Sequence, residues 1–170
     1  MRRRHFVITG VGAASLSGCA GRLERFATLK EAKQSVLNLG FGAPKLEHER
    51  WSLSQLLQHL AQSIEYSMAG YPEMKSAMFR ALVGNSAFAL FNARGAMSHG
   101  LAEPIPGAPA LSPDTPLKDS LRRLLDALNA FETWAGPLKP HFAYGELDKA
   151  QYTRAHLMHL ADHWTQIRSQ

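Results

Sequence analysis

Eight histidines are spread along the 170 residues, and three of them share one short stretch, His156, His159 and His163. On a helix, positions i, i+3 and i+7 face the same way. Neutral imidazole is the commonest metal ligand among side chains, and its charge changes near neutrality. One ion cannot take all three, because His156 and His163 would stand ~10.5 Å apart along the helix axis. His159 and His163 are one turn apart, with Cβ atoms ~6 Å from each other, the spacing with which zinc-binding helices hold one ion. Such a pair needs a third ligand from another element. His59, mid-segment among Leu56, Leu57 and Leu60, is the best placed, although a hydrogen-bonded core histidine fits the same pattern. Three neutral imidazoles would leave a coordination position open, which is the catalytic arrangement rather than the closed structural one.

Other polar residues could assist such a site. His141, just before the last helical segment, could serve as general acid or base in a loop folded over the site, or could simply pack that loop. His156 could hydrogen-bond within the site, but core packing is favoured. Tyr66 and Tyr144 could donate to a bound ligand, and both also fit the pattern of tyrosines packed between helices. Asp162 adjoins His163 in sequence, hence lies on a different helix face, and is read as solvated. His5, His48 and His99 have no such context and are read as leader and loop residues.

These side chains need helices to position them. Three capping boxes mark helix starts: Thr28 with Glu31, Ser52 with Gln55, and Asp148 with Gln151. In each, the cap oxygen can accept from the third amide while the Glu or Gln reaches back. Trp51 and Leu56 are placed to form a hydrophobic staple on the second. Thr115-Pro116 is a fourth start, a cap followed by proline at the first helical position. Apolar residues recur at helical spacing, as in Leu53, Leu56, Leu57, Leu60, Ile64 and in Leu117, Leu121, Leu124, Leu125, Leu128. The expected helices therefore run over about 28–38, 52–69, 115–135 and 148–168. Residues 73–93 are also helical in pattern, with Gly84 as a candidate break. Residues 101–109 carry three prolines and cannot be regular helix, so they are expected to form an ordered crossover. No alternation of Val, Ile or Thr is long enough for a sheet. The expected architecture is all-α, a four-helix bundle with a long Pro/Gly-containing crossover before its third core helix.

Residues 1–18 read as an address. Arg2, Arg3 and Arg4 precede a short apolar stretch, Phe6 to Leu16, too short to span a bilayer. Leu16-Ser17-Gly18-Cys19 then has the form of a lipobox, with Cys19 as the acylated residue. Arg3-Arg4-His5-Phe6-Val7 also resembles a twin-arginine export signal, and an ordinary basic leader fits equally well. The expectation is an exported lipoprotein with a single domain over 19–170, attached to a membrane by its lipid. Ala20, in place of an aspartate retention signal, favours the outer membrane. Removing the leader takes away three of nineteen basic residues and none of fourteen acidic ones, so the net charge falls from +5 to +2. No basic stripe remains for nucleic acid, and no second cysteine exists for a disulfide or thiolate site.

Two stretches carry a family resemblance. Trp51-Ser52-Leu53 through His59, and His159-Leu160-Ala161-Asp162-His163-Trp164-Thr165-Gln166, resemble the DinB/YfiT-like superfamily of four-helix-bundle metalloenzymes. That family places one histidine on its second helix and an HxxxH pair near the end of its last helix, usually with Gln three residues on. A branch without an assigned function is closer still. It has a His-Pro-x-Phe-Gly stretch before the last helix, where His141-Phe142-Ala143-Tyr144-Gly145 stands here with Phe142 replacing the proline. It is similar also in Ile105-Pro106-Gly107-Ala108-Pro109. The resemblance implies His59, His159 and His163 as ligands to a divalent metal. Zinc comes first, because it accepts imidazole and tolerates an open position, although nickel and iron suit imidazole too. It implies an enzyme of thiol-transfer type, in which the metal lowers a thiol pKa, or a hydrolase. Against these stand a non-catalytic envelope lipoprotein binding a metal or small ligand, and a bundle that has lost its metal. The substrate would be a small molecule, and a homodimer is also considered.

Overall fold

The computed structural model describes residues 20–42, 44–46 and 50–168; Cys19, the expected leader and His48 lie outside them. The described chain is mostly helical. Its elements are α1 (Leu29–Leu39), β1 (Lys45–Leu46), α2 (Leu53–Ala69), α3 (Ala77–Phe79), a π-helical turn (Arg80–Gly84), α4 (Asn85–Arg94), α5 (Leu117–Thr133), α6 (Lys149–Trp164) and β2 (Ile167–Arg168). No helix among the described residues is long and apolar enough to cross a membrane.

The helix starts follow from the caps. Ser52 and Asp148 each accept from the amide three residues on, and Gln55 and Gln151 reach back to complete both boxes. At α1 the Thr28 hydroxyl accepts from Glu31 N, but the Glu31 carboxylate takes the Ala27 amide at 2.8 Å instead of the cap's own. At α5 the cap is Pro116, one residue later than expected. The Thr115 carbonyl is used elsewhere, accepting from Ser54 Oγ at 2.7 Å and tying α5 to α2. The last helix stops at Trp164, short of the expected 168, because Ile167 and Arg168 pair antiparallel with Leu46 and Lys45. That two-residue ladder is the one sheet among the described residues.

The apolar stripes meet as the periodicity requires. α2 packs most extensively against α5, and α1 and α2 both also touch α6. Leu56, Leu57, Leu60 and Ile64 of α2, Leu124, Leu128 and Phe131 of α5, and Met158 and Leu160 of α6 are all buried in one core. Across the α2–α5 contact, Arg123 grips the Glu65 carboxylate with two hydrogen bonds, of 2.9 and 2.7 Å. The helix expected over 73–93 runs from Ala77 to Arg94, and Gly84, the candidate break, does not interrupt it; the helix widens into a π turn there.

Residues 95–116 contain no helix or strand, and α2 itself holds this connection in place. Gln55, Gln58 and Gln62 lie at i, i+3 and i+7, on one face. Their amides donate to Leu111 O, Ser112 O and Pro109 O at 3.1, 2.8 and 3.2 Å. Ser112 N returns a bond to Gln58 Oε1 at 3.1 Å. A segment whose prolines cannot donate is thus satisfied through its carbonyls, and its upstream part is laid over α6.

Candidate metal centre

Three rigid positions converge first. α2 presents His59 from the middle of its buried face, and α6 presents His159 and His163 one turn apart. The Nε2 atom of His159 is 3.2 Å from that of His59 and 3.1 Å from that of His163. A single imidazole nitrogen carries either one proton or one lone pair, so His159 Nε2 cannot hydrogen-bond well to both neighbours. Three lone pairs aimed at a shared cation have no such conflict. Bonds of about 2 Å arranged tetrahedrally put ligand nitrogens ~3.3 Å apart, close to the separations seen.

A fourth imidazole joins from the connection. Gly95 ends α4 in the left-handed conformation, with φ 75°, and the chain then brings His99 against α6. His99 Nδ1 lies 2.7 Å from Asp162 Oδ2, and its backbone amide donates to the same oxygen at 3.2 Å. The carboxylate fixes the proton on Nδ1 and leaves the Nε2 lone pair free. That Nε2 is buried and has no hydrogen-bond partner among the described residues. His59, His99, His159 and His163 offer ligand atoms that all lie within 4.8 Å of one another, so the four could hold a metal ion. A carboxylate behind a ligating histidine is the usual means of setting its tautomer and orientation. The reading of His99 as an ordinary loop residue, and of Asp162 as solvated, is therefore corrected: the two form one unit at the cluster.

Electrostatics leave the His59, His159 and His163 rings neutral. Burial, then the like charge of His99, lowers His59 to about 4. Burial, then His59 and His99, lowers His163 to about 3, with Asp162 and Gln166 pulling weakly the other way. His159 is held well below its usual value, by burial first and then by the surrounding imidazoles. Neutral imidazoles keep the lone pairs that a metal needs. The Trp51 ring covers His59, with centroids 5.0 Å apart.

A cavity of about 440 Å³ opens beside the cluster. His59, His99 and His159 line one part of it, His141, Phe142 and Tyr144 another, and Met97, Ile105 and Ala155 supply apolar wall. The volume suits a small organic ligand. His141 and Tyr144 belong to a tight turn in which His141 N and Gly145 N each donate to the other residue's carbonyl, at 2.7 and 3.0 Å. The turn rests on the π-helical segment: a Cβ on Gly84 would sit 1.8 Å from Ala143 O, so only glycine allows that approach. π turns recur at functional sites for such reasons.

The remaining expected residues fall as follows. His156 is buried, with Nε2 3.2 Å from Ser67 Oγ and its ring edge-on to Phe131. It also lines the cavity but stands outside the four-histidine group. Tyr144 stacks on His141 with centroids 4.3 Å apart, and burial raises its hydroxyl to about 12. Tyr66 packs beside Tyr71 at 5.8 Å and is absent from the cavity wall.

Sequence comparison adds the affiliation. The model of a family described as a protein of unknown function, DUF1569, matches residues 22–170. The chain belongs to the DUF1569 family. The DUF1569 match spans all four clustered imidazoles as well as Asp162 and His141. No curated protein and no solved structure matches the chain.

Proposed function

We propose that this chain is a metal-dependent enzyme related to the DinB/YfiT-like metalloenzymes, with α1, α2, α5 and α6 as its four-helix bundle. We further propose that it is exported and lipid-anchored through Cys19. The observation that carries the enzymatic reading is the meeting of His59, His159 and His163 at one Nε2 focus on the wall of a ligand-sized cavity. A divalent ion held there, zinc first, would act as a Lewis acid and lower the pKa of a thiol or water brought to it. The chain's own residues do the rest. α2 and α6 fix three ligands on a rigid core, Asp162 orients His99, and Met97 and Ile105 exclude water from one side. Thiol transfer and hydrolysis are the two reaction types this arrangement serves.

His99 bears on whether the site turns over. A four-coordinate ion held by all four imidazoles would have no place for substrate, which favours a second reading, a non-catalytic metal- or ligand-binding lipoprotein. A five- or six-coordinate ion, or release of His99 from its loop, restores access. Cobalt substitution separates these cases. The enzymatic reading expects the visible spectrum of the cobalt-loaded protein to change when a small thiol is added. A four-coordinate spectrum that no thiol or other small ligand perturbs would overturn it and leave the binding-protein reading.

A further inference from the structure

The cavity holds a second polar feature, set apart from the four clustered imidazoles. His141 Nδ1 accepts two hydrogen bonds, from Ala143 N at 3.1 Å and Tyr144 N at 3.2 Å. A ring nitrogen facing two amide donors carries no proton, so the proton of the neutral ring sits on Nε2. Turning the ring over would put Cδ2–H in the place of Nδ1 and forfeit both bonds. The backbone cannot adapt, because the turn is closed by the His141–Gly145 pair and Phe142 O accepts from Lys75 N at 3.0 Å. Nor can the ring swing, since Tyr144 stacks on it and Tyr71 and Phe142 flank it at 5.0 and 4.7 Å.

We propose that His141 is a fixed hydrogen-bond donor, whose Nε2–H forms a subsite in the cavity for an acceptor oxygen of the ligand: a carboxylate, carbonyl or phosphoryl oxygen. The ring lines the cavity and Nε2 has no protein partner among the described residues. The assignment departs from acid–base catalysis. Nδ1 is already engaged as an acceptor and Nε2 is already protonated, so no basic lone pair faces the ligand. A neutral imidazole is a poor proton source, yet it serves well as an electrophile that polarises a carbonyl. The neighbours agree. The Tyr71 and Tyr152 hydroxyls donate to Ser63 O and Lys139 O. His156 faces Ser67 Oγ, whose own proton goes to Ile64 O at 2.6 Å, so His156 Nε2–H is committed there. Burial, then the charge of His156, holds the His141 ring down to about 3, in keeping with a ring that stays neutral. This subsite deepens the proposed function and rests on it for the other end of the ligand, which would meet the metal. The substrate class is then a small molecule with a metal-seeking group and an acceptor oxygen, separated by apolar chain.

Two measurements test the subsite. Two-bond proton–nitrogen correlation spectra of the full chain, labelled at histidine, report the tautomer directly. His141 is expected to be neutral with its proton on Nε2 at pH 7, and a charged ring or an Nδ1–H ring would overturn the proposal. Calorimetry of the zinc-loaded chain then compares 3-mercaptopropionate and its longer homologues with plain alkanethiols of equal length. The wild type should prefer a carboxylate-bearing thiol of one length. His141→Asn keeps an acceptor for the turn amides, as an Asx turn does, but removes the distant donor. It should weaken that thiol roughly tenfold or more and erase the preference, as loss of a hydrogen bond to a charged group does. A preference unchanged in H141N would overturn the subsite. Binding of these probes that is indifferent to zinc, with the carboxylate preference intact, would instead overturn the metal reading and leave the subsite supported.

Discussion

Acidification should unfold this protein earlier than its size alone suggests, and His141 and His156 set the scale. Both rings are buried and lowered to about 3, by burial first and then by a nearby positive charge, from an ordinary value of 6.5. The sign follows from which state binds more protons. Below pH 6.5 the unfolded chain takes up protons that the folded chain refuses, so stability is fully present above that pH and falls as pH drops toward 3. Each such histidine tilts the balance by about 1.4 kcal/mol per pH unit once its unfolded form is protonated. Between pH 7 and pH 5 that comes to about 2 kcal/mol per ring, or about 4 kcal/mol for the two. His59 and His163, at about 4 and about 3, act in the same direction. Against a typical domain stability of roughly 5–15 kcal/mol, the loss is large. Urea unfolding of chelator-treated protein, followed by circular dichroism at pH 7, 6 and 5, reads it as a falling midpoint. A midpoint that does not move between pH 7 and pH 5 would refute the reasoning, since it would mean that these rings are hydrated or already charged in the folded state.

Three other expectations concern single residues. Gly84→Ala should cost about 1–3 kcal/mol, because its Cβ would press on Ala143 O; an unchanged urea midpoint would show that the 141–145 turn does not rest there. Asp162→Asn should weaken zinc affinity ~10–100-fold by releasing His99 from its tautomer, and an unaltered affinity in competition with a chelator would place His99 outside the ligand set. Mass spectrometry of the native protein should find an acylated Cys19 at the N-terminus, whereas an intact leader on envelope-derived protein would end the lipoprotein reading.

The helices were legible in the sequence because local signals decide them. Ser52–Gln55 and Asp148–Gln151 form the boxes their spacing predicts, and the apolar stripe of α2 is the buried one. What escaped depends on contacts far away in the chain. The early end of α6 comes from pairing with residues 45–46, which no local pattern announces. His99 sits in an aperiodic connection, held by Asp162 at its upstream end and by the Gln55, Gln58 and Gln62 ladder on α2 at its downstream end. That ladder was readable as three glutamines on one helix face, but its partner was not. Asp162 was misplaced by comparison with His163 alone. It is also three residues beyond His159, and on a helix i and i+3 are neighbours. His59 remained ambiguous by pattern, since a core histidine and a ligand look alike until the other imidazoles are in view.

Metal content tests the central claim most directly. The full chain, purified without a polyhistidine tag or chelator and assayed by elemental analysis, should carry one tightly bound divalent ion. His59→Ala and His159→Ala should each lose it, while His156→Ala, whose ring points to Ser67, should retain most of it. A wild-type protein that neither carries nor takes up a divalent ion, or a loss from His156→Ala equal to that from His159→Ala, would contradict the account.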